Sequence, residues 1–142
     1  MQNTNDIRKF ITSGKATFTV TSARTGQHFT YRVKQTEPGA HGYFVSVLTG
    51  PDNVRDYTYA GMLFDSDQGL AFRLTKGSKV SGDAPSFRGF EWLVRMVNAD
   101  KGVSDHATLD HMGKCGRCGR ALTHPESIAT GLGPECVKKV AA

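Results

Sequence analysis

From position 17 onward, apolar and polar side chains alternate, a period of two that marks half-buried strands. Phe18 and Val20 alternate with Thr17, Thr19 and Thr21, and Phe29, Tyr31 and Val33 alternate with His28, Thr30, Arg32 and Lys34. Ala23-Arg-Thr-Gly26 supplies a turn between them, so the two runs predict a β-hairpin. Glu37 to Gly42 reads as a looser turn and Tyr43 to Leu48 as a third strand. Gly50-Pro-Asp-Asn53 is a strong turn signal, Tyr57 to Phe64 reads as a fourth strand, and Leu70, Phe72 and Leu74 as the inward face of a fifth. Short strands joined by short turns predict an antiparallel meander.

The period then lengthens. Phe90, Leu93, Val94 and Val97 recur at helical spacing, with Phe87 extending the stripe, and Asp83-Ala-Pro-Ser supplies a capped start. Asn98 to Gly102 ends this helix, and the polar stretch to Asp110 reads as a linker. Ile7 to Ile11 predicts no more than a helical turn. The expected fold class is α+β. An antiparallel sheet of about five strands with one packed helix occupies residues 13–100, and a small zinc-ribbon or treble-clef-like module occupies residues 106–142.

Cysteine content changes the picture at the C-terminal end. All three cysteines, Cys115, Cys118 and Cys136, fall there, and an odd number does not make a disulfide framework. Cys-Gly-Arg-Cys lets two thiolates point inward from one tight turn, so the spacing reads as a Zn²⁺ site rather than a redox pair. Zinc takes four ligands, and the fourth is open. His111, four residues before Cys115, stands first; His124, His106, Asp110, Glu135, water or a partner's residue are the alternatives. A short helix after Pro134 would carry Cys136, and a treble clef often has a second ligand about one turn further on, where this chain has Lys139. Three buried free thiols are the simpler alternative.

The stretch His111 to Cys136 contains Cys-x-x-Cys-Gly-Arg-x-Leu, then Pro-x-Ser, then Gly-x-Gly-Pro-x-Cys. It resembles a small domain of unknown function, taken to bind zinc, that occurs in proteins of phages, prophages and plasmids. The segment Phe44 to Asn53 with Asp56-Tyr-Thr-Tyr59 is similar to proteins of the same kind. The resemblance implies an accessory protein of a mobile element. It implies no activity.

Composition narrows the classes. Apolar residues at 38% and charged residues at 22% fit a globular protein and not a disordered chain. The longest apolar runs, Tyr43 to Leu48 and Trp92 to Val97, are far below the ~20 residues of a membrane span. The opening residues have no apolar signal core, so the expected location is the cytoplasm, that of the host if the gene is a phage's. With 18 Lys and Arg against 13 Asp and Glu, the net charge of +5 favours polyanionic partners.

Nucleic acid is therefore the expected partner. Lys114, Arg117, Arg120 and Lys138 would meet phosphates from the module, with Lys139 beside them. Arg88, Trp92 and Arg95 share one helix face and would form a second contact, and Tyr57 and Tyr59 share a strand face on which bases stack, with Tyr43 as their neighbour. Arg32, Lys34, Arg73, Lys76 and Lys79 lie on or beside outward faces. The alternatives are a solvated surface, and an inhibitor or adaptor that binds a host protein with Trp92 as its anchor. An enzyme is not expected. Walker, nucleophile-elbow, zinc-hydrolase and deaminase motifs are missing, no small-molecule substrate is indicated, His28 and His41 are isolated, and Asp52, Asp56, Asp65 and Asp67 read as turn residues.

Overall fold

The alternating runs form one sheet in the computed structural model, which describes residues 3–52, 54–122 and 125–140. The elements are α1 (Thr4–Ile11), β1 (Lys15–Ser22), β2 (His28–Gln35), β3 (Gly42–Leu48), β4 (Tyr57–Ser66), β5 (Gly69–Arg73), α2 (Pro85–Asn98), a 3-10 turn (Val103–Asp105), β6 (Ala107–His111), α3 (Pro125–Thr130) and α4 (Pro134–Val140). Strand order is β5-β4-β3-β2-β1-β6, antiparallel at every pairing. The fold is α+β, and β1 to β5 are the expected meander.

Three elements depart from expectation. The segment read as a linker supplies β6, which pairs with β1 from Phe18↔His111 to Ser22↔Ala107. Only Ala107 and Leu109 alternate inward there, too short a run to register as a strand, yet its backbone closes the free edge of β1. The N-terminal turn is a full helix whose Ile7, Phe10 and Ile11 are completely buried, started by Asn3, whose side chain accepts from the Asn5 N–H at 2.8 Å. The sheet-bearing part thus takes in residues before 13 and after 106. Leu74, expected on the inward face of β5, lies past its end and is half exposed. Helix α2 begins at Pro85, one residue after Ala84, which makes no side-chain cap; Pro at the first position needs no partner for a missing N–H.

The core lies on one side of the sheet. Phe18, Tyr31, Val33, Val45 and Leu63 from the strands meet Phe10 and Ile11 of α1 and Phe90 and Leu93 of α2. The Tyr31 hydroxyl, buried with its ring, donates to the Ser86 carbonyl at 2.7 Å. Asn98 ties the end of α2 to β5: its side chain accepts from the Leu70 N–H and donates to the Leu70 carbonyl, both at 2.8 Å. Among the described residues no buried side-chain polar atom lacks a partner. No described helix is long and apolar enough to cross a membrane.

Among the described residues no helix packs on the other side of the sheet, where the Tyr59 hydroxyl bonds Thr75 at 2.9 Å. A bulge shifts the β3–β4 register, with Val45 opposite Gly61 and Ser46 opposite Tyr59. It lets Tyr57 and Tyr59 share the outer face with Met62 and Phe64 while Leu63 stays in the core. Phe44 and Phe64 are 44% and 42% exposed on that face.

Candidate metal centre and the basic surfaces

The chain leaves β6 at His111 and turns into a knuckle. The Cys115 N–H donates to the Arg120 carbonyl at 2.8 Å, and the Gly119 N–H donates back to the Cys115 carbonyl at 2.9 Å. Gly119 sits at φ +80, a conformation that residues with a Cβ rarely adopt. A bridge between Lys114 and Ala121 closes the base of the turn. Helices α3 and α4 then bring the chain back, and Cys136 lies in the first turn of α4 after Pro134.

This path gathers the Sγ atoms of Cys115, Cys118 and Cys136 within 4.8 Å of one another. Tetrahedral zinc with Zn–S near 2.3 Å would hold sulfurs about 3.8 Å apart, so a small contraction fits the three thiolates to one ion. Cys115 and Cys136 are buried and Cys118 is exposed. Burial pushes the Cys115 thiol up, but N–H groups of Gly133, Cys118 and Arg117, with the Cys118 side chain, more than reverse this and leave it at about 7. The Arg117 and Gly133 N–H groups reach its sulfur at 3.4 and 3.3 Å. Burial holds the Cys136 thiol above its usual range, although the Arg117 guanidinium donates to its sulfur at 3.7 Å. Donors aimed at sulfur suit thiolates, and thiolates are what zinc requires.

The structure does not bring His111 to the sulfurs. Its Nδ1 accepts from the Gly113 N–H at 2.9 Å and its Nε2 donates to the Ile128 carbonyl at 2.5 Å, so both ring nitrogens are taken and the ring ties α3 to the end of β6. His106 stands against Trp92, ring centroids 6.4 Å apart. Asp110 pairs across from Thr19 on the sheet, and His124 lies outside the described residues. Glu135 and Ser127 line a cavity of about 160 Å³ beside the cysteines.

The module is docked, not tethered. The Lys15 N–H donates to the Gly116 carbonyl at 2.6 Å, and the Gly116 N–H to the Gly131 carbonyl at 2.8 Å. A Cβ at Gly116 would lie 2.8 Å from Phe10 Cε1, so only glycine lets the knuckle sit this close to α1. The module's own apolar centre is Cys115, Leu132 and Cys136, flanked by Leu122 and Val137.

The basic residues divide among three places. Lys114, Arg120 and Lys138 are exposed on the module, and Arg117 is turned toward Cys136. Arg88 and Arg95 are exposed on α2, and Arg88 pairs with Asp83 at 3.4 Å. Trp92 packs against the core and lines a cleft of about 700 Å³ with Arg24, Phe29, Met96 and His106. The third place is the open sheet face with Arg32, Lys34 and Arg73. There Tyr43 is a correction: it is buried, its hydroxyl donating to the Thr12 carbonyl at 3.0 Å, and Phe44 is the neighbour of Tyr59 instead. Phe44, Met62 and Phe64 were not among the expected contacts. Strict alternation of Phe44 with buried Tyr43 and Val45 was the available signal, whereas the bulge that turns Met62 and Phe64 outward is marked only by Gly61 in mid-strand.

Fold and site together define an α+β protein whose C-terminal module carries a three-cysteine group fit for a metal ion. That module is where the chain is similar to a known family: residues 105–141, about a quarter of the chain, match DUF6011, a family of unknown function. No curated protein and no solved structure matches the chain.

Proposed function

We propose that this is a non-enzymatic nucleic-acid-binding accessory protein of a phage or other mobile element, with a structural zinc ion in its C-terminal module. The observation that carries the reading is the open sheet face, where exposed Phe44 and Phe64 lie among Arg32, Lys34 and Arg73. Aromatic faces stack bases and cations pair with backbone phosphates, and together they suit a nucleic acid. Lys114, Arg120 and Lys138 add phosphate contacts from the module. The mobile-element setting rests on the motif around the cysteines. Cys115, Cys118 and Cys136 would hold the zinc, which supplies folding free energy to a segment with little core of its own.

The test is fluorescence anisotropy of zinc-loaded protein with labelled nucleic acid at low and near-physiological salt. Micromolar or tighter binding that survives the higher salt is expected; binding lost completely as salt rises would reduce it to the general attraction of a +5 chain. The Trp92 cleft favours a second reading, an inhibitor or adaptor that takes an apolar side chain of a host protein there.

A further inference from the structure

Register fixes which outward side chains stand side by side. Arg73 of β5 pairs with Met62 of β4, Met62 with Phe44 of β3, Phe44 with Lys34 of β2, and Lys34 with Lys15 of β1. This row crosses five strands on the open face, and at ~4.8 Å per strand it spans about 19 Å. It does not stop at the sheet, because the backbone of Lys15 is bonded to Gly116 in the cysteine knuckle, beside exposed Lys114. The neighbouring row carries Tyr59, Ser46, Arg32 and Thr17. Phe44 and Tyr59 meet edge to face at 6.0 Å, and the Arg32 guanidinium lies 4.1 Å over the Tyr57 ring.

Neither row holds a carboxylate. A polyanion fits that charge, and a second copy of the same basic face does not. The aromatics then decide between forms. A duplex keeps its base faces stacked inside and would use only the cations, whereas a single strand offers base faces to Phe44 and Tyr59 and phosphates to Arg73, Lys34 and Lys15.

We infer that the open face binds single-stranded nucleic acid, laid across the strands from Arg73 toward the cysteine knuckle. This rests on the nucleic-acid reading above and adds the form of the ligand and its path. Sheet and module then share one site: the aromatic pair holds bases, and Lys34 and Lys15 lead the backbone to Lys114.

The experiment measures anisotropy of the zinc-loaded full chain with a 16-nucleotide single strand, as DNA and as RNA, and with the matching duplex. Wild type is compared with Phe44→Ala, Phe44→Leu and Lys34→Ala, with Lys101→Ala as a control away from the face, each checked for its folded circular dichroism spectrum. The single strand should bind at least tenfold tighter than the duplex. Phe44→Ala and Phe44→Leu should each weaken it about tenfold by loss of stacking while leaving the duplex unchanged. Lys34→Ala should lower the slope of log affinity against log salt by about 0.7, one phosphate contact. Phe44→Leu also separates lost stacking from lost apolar bulk. Duplex bound as tightly as single strand, with both Phe44 variants silent, would overturn the proposed path and leave nucleic-acid binding standing. No binding of any form at physiological salt would overturn both.

Discussion

The sheet unit and the cysteine module differ in how much apolar core each one has. One continuous cluster of side chains from α1, α2 and all six strands fills the inner side of the sheet. Among the described residues, the module's buried apolar cluster is Cys115, Leu132 and Cys136, and two of those three are metal-ligand types. The first stabilises itself by removing apolar area from water; the second has too little area to do so, and under the proposed function zinc coordination would supply the rest. The regions nevertheless meet in a close contact, Phe10 beneath Gly116, so each can be disturbed separately and the seam between them observed.

The largest effect should come from the sheet unit. Phe90, fully buried, packs on Tyr31 and Phe72 with ring centroids at 5.1 and 4.7 Å. Phe90→Ala should cost about 3–5 kcal/mol, read as a lower urea midpoint at unchanged slope. Cys136→Ser comes next. Elemental analysis should fall from about one zinc per chain to none, and thermal unfolding should show the module melting ahead of a sheet transition that has barely moved.

Opposite responses to pH sharpen the contrast. Burial raises the pKa of Tyr31 far above its usual value, and burial followed by the nearby Asp65 carboxylate raises that of Tyr43. A phenol whose folded pKa is raised contributes stability that is fully present below its unfolded pKa of about 10 and declines as pH rises past it. Sheet stability should therefore fall above about pH 10, checked by urea unfolding across the alkaline range. The module should fail in the other direction, releasing zinc on acidification as protons compete for the thiolates.

The smallest effect should be on the surface. Arg8 and Asp65 join α1 to the end of β4 at 2.6 Å, with side chains 37% and 25% exposed. Solvent screens this pair, so Arg8→Ala should cost no more than about 1 kcal/mol in the same unfolding assay.

Much of this was legible from spacing alone. Period-two runs marked β1 to β5, and the Phe90–Val97 stripe marked α2, because both bury one face and repeat often enough to show it. The three cysteines announced themselves by residue type. Short elements did not: β6 has two inward apolar residues, and its pairing with β1 depends on backbone bonds that carry no side-chain signature. Ile7, Phe10 and Ile11 had helical spacing, but nothing in the sequence said that the rest of the fold would cover them. His111 stood four residues from Cys115, and spacing could not reveal that the Ile128 carbonyl and the Gly113 N–H would claim its ring. The outward Phe44 was readable from alternation, whereas the bulge that aligns Tyr57 and Tyr59 with Phe64 had a single mark, Gly61, which does not say which way the strand shifts.

Hydrogen exchange read by mass spectrometry, on zinc-loaded protein before and after addition of a chelator, tests the two-force account most directly. Chelation should release the amides of residues 113–140 to fast exchange, while β1 to β5 and α2 keep their protection. Protection unchanged along the whole chain, or lost everywhere at once, would contradict it.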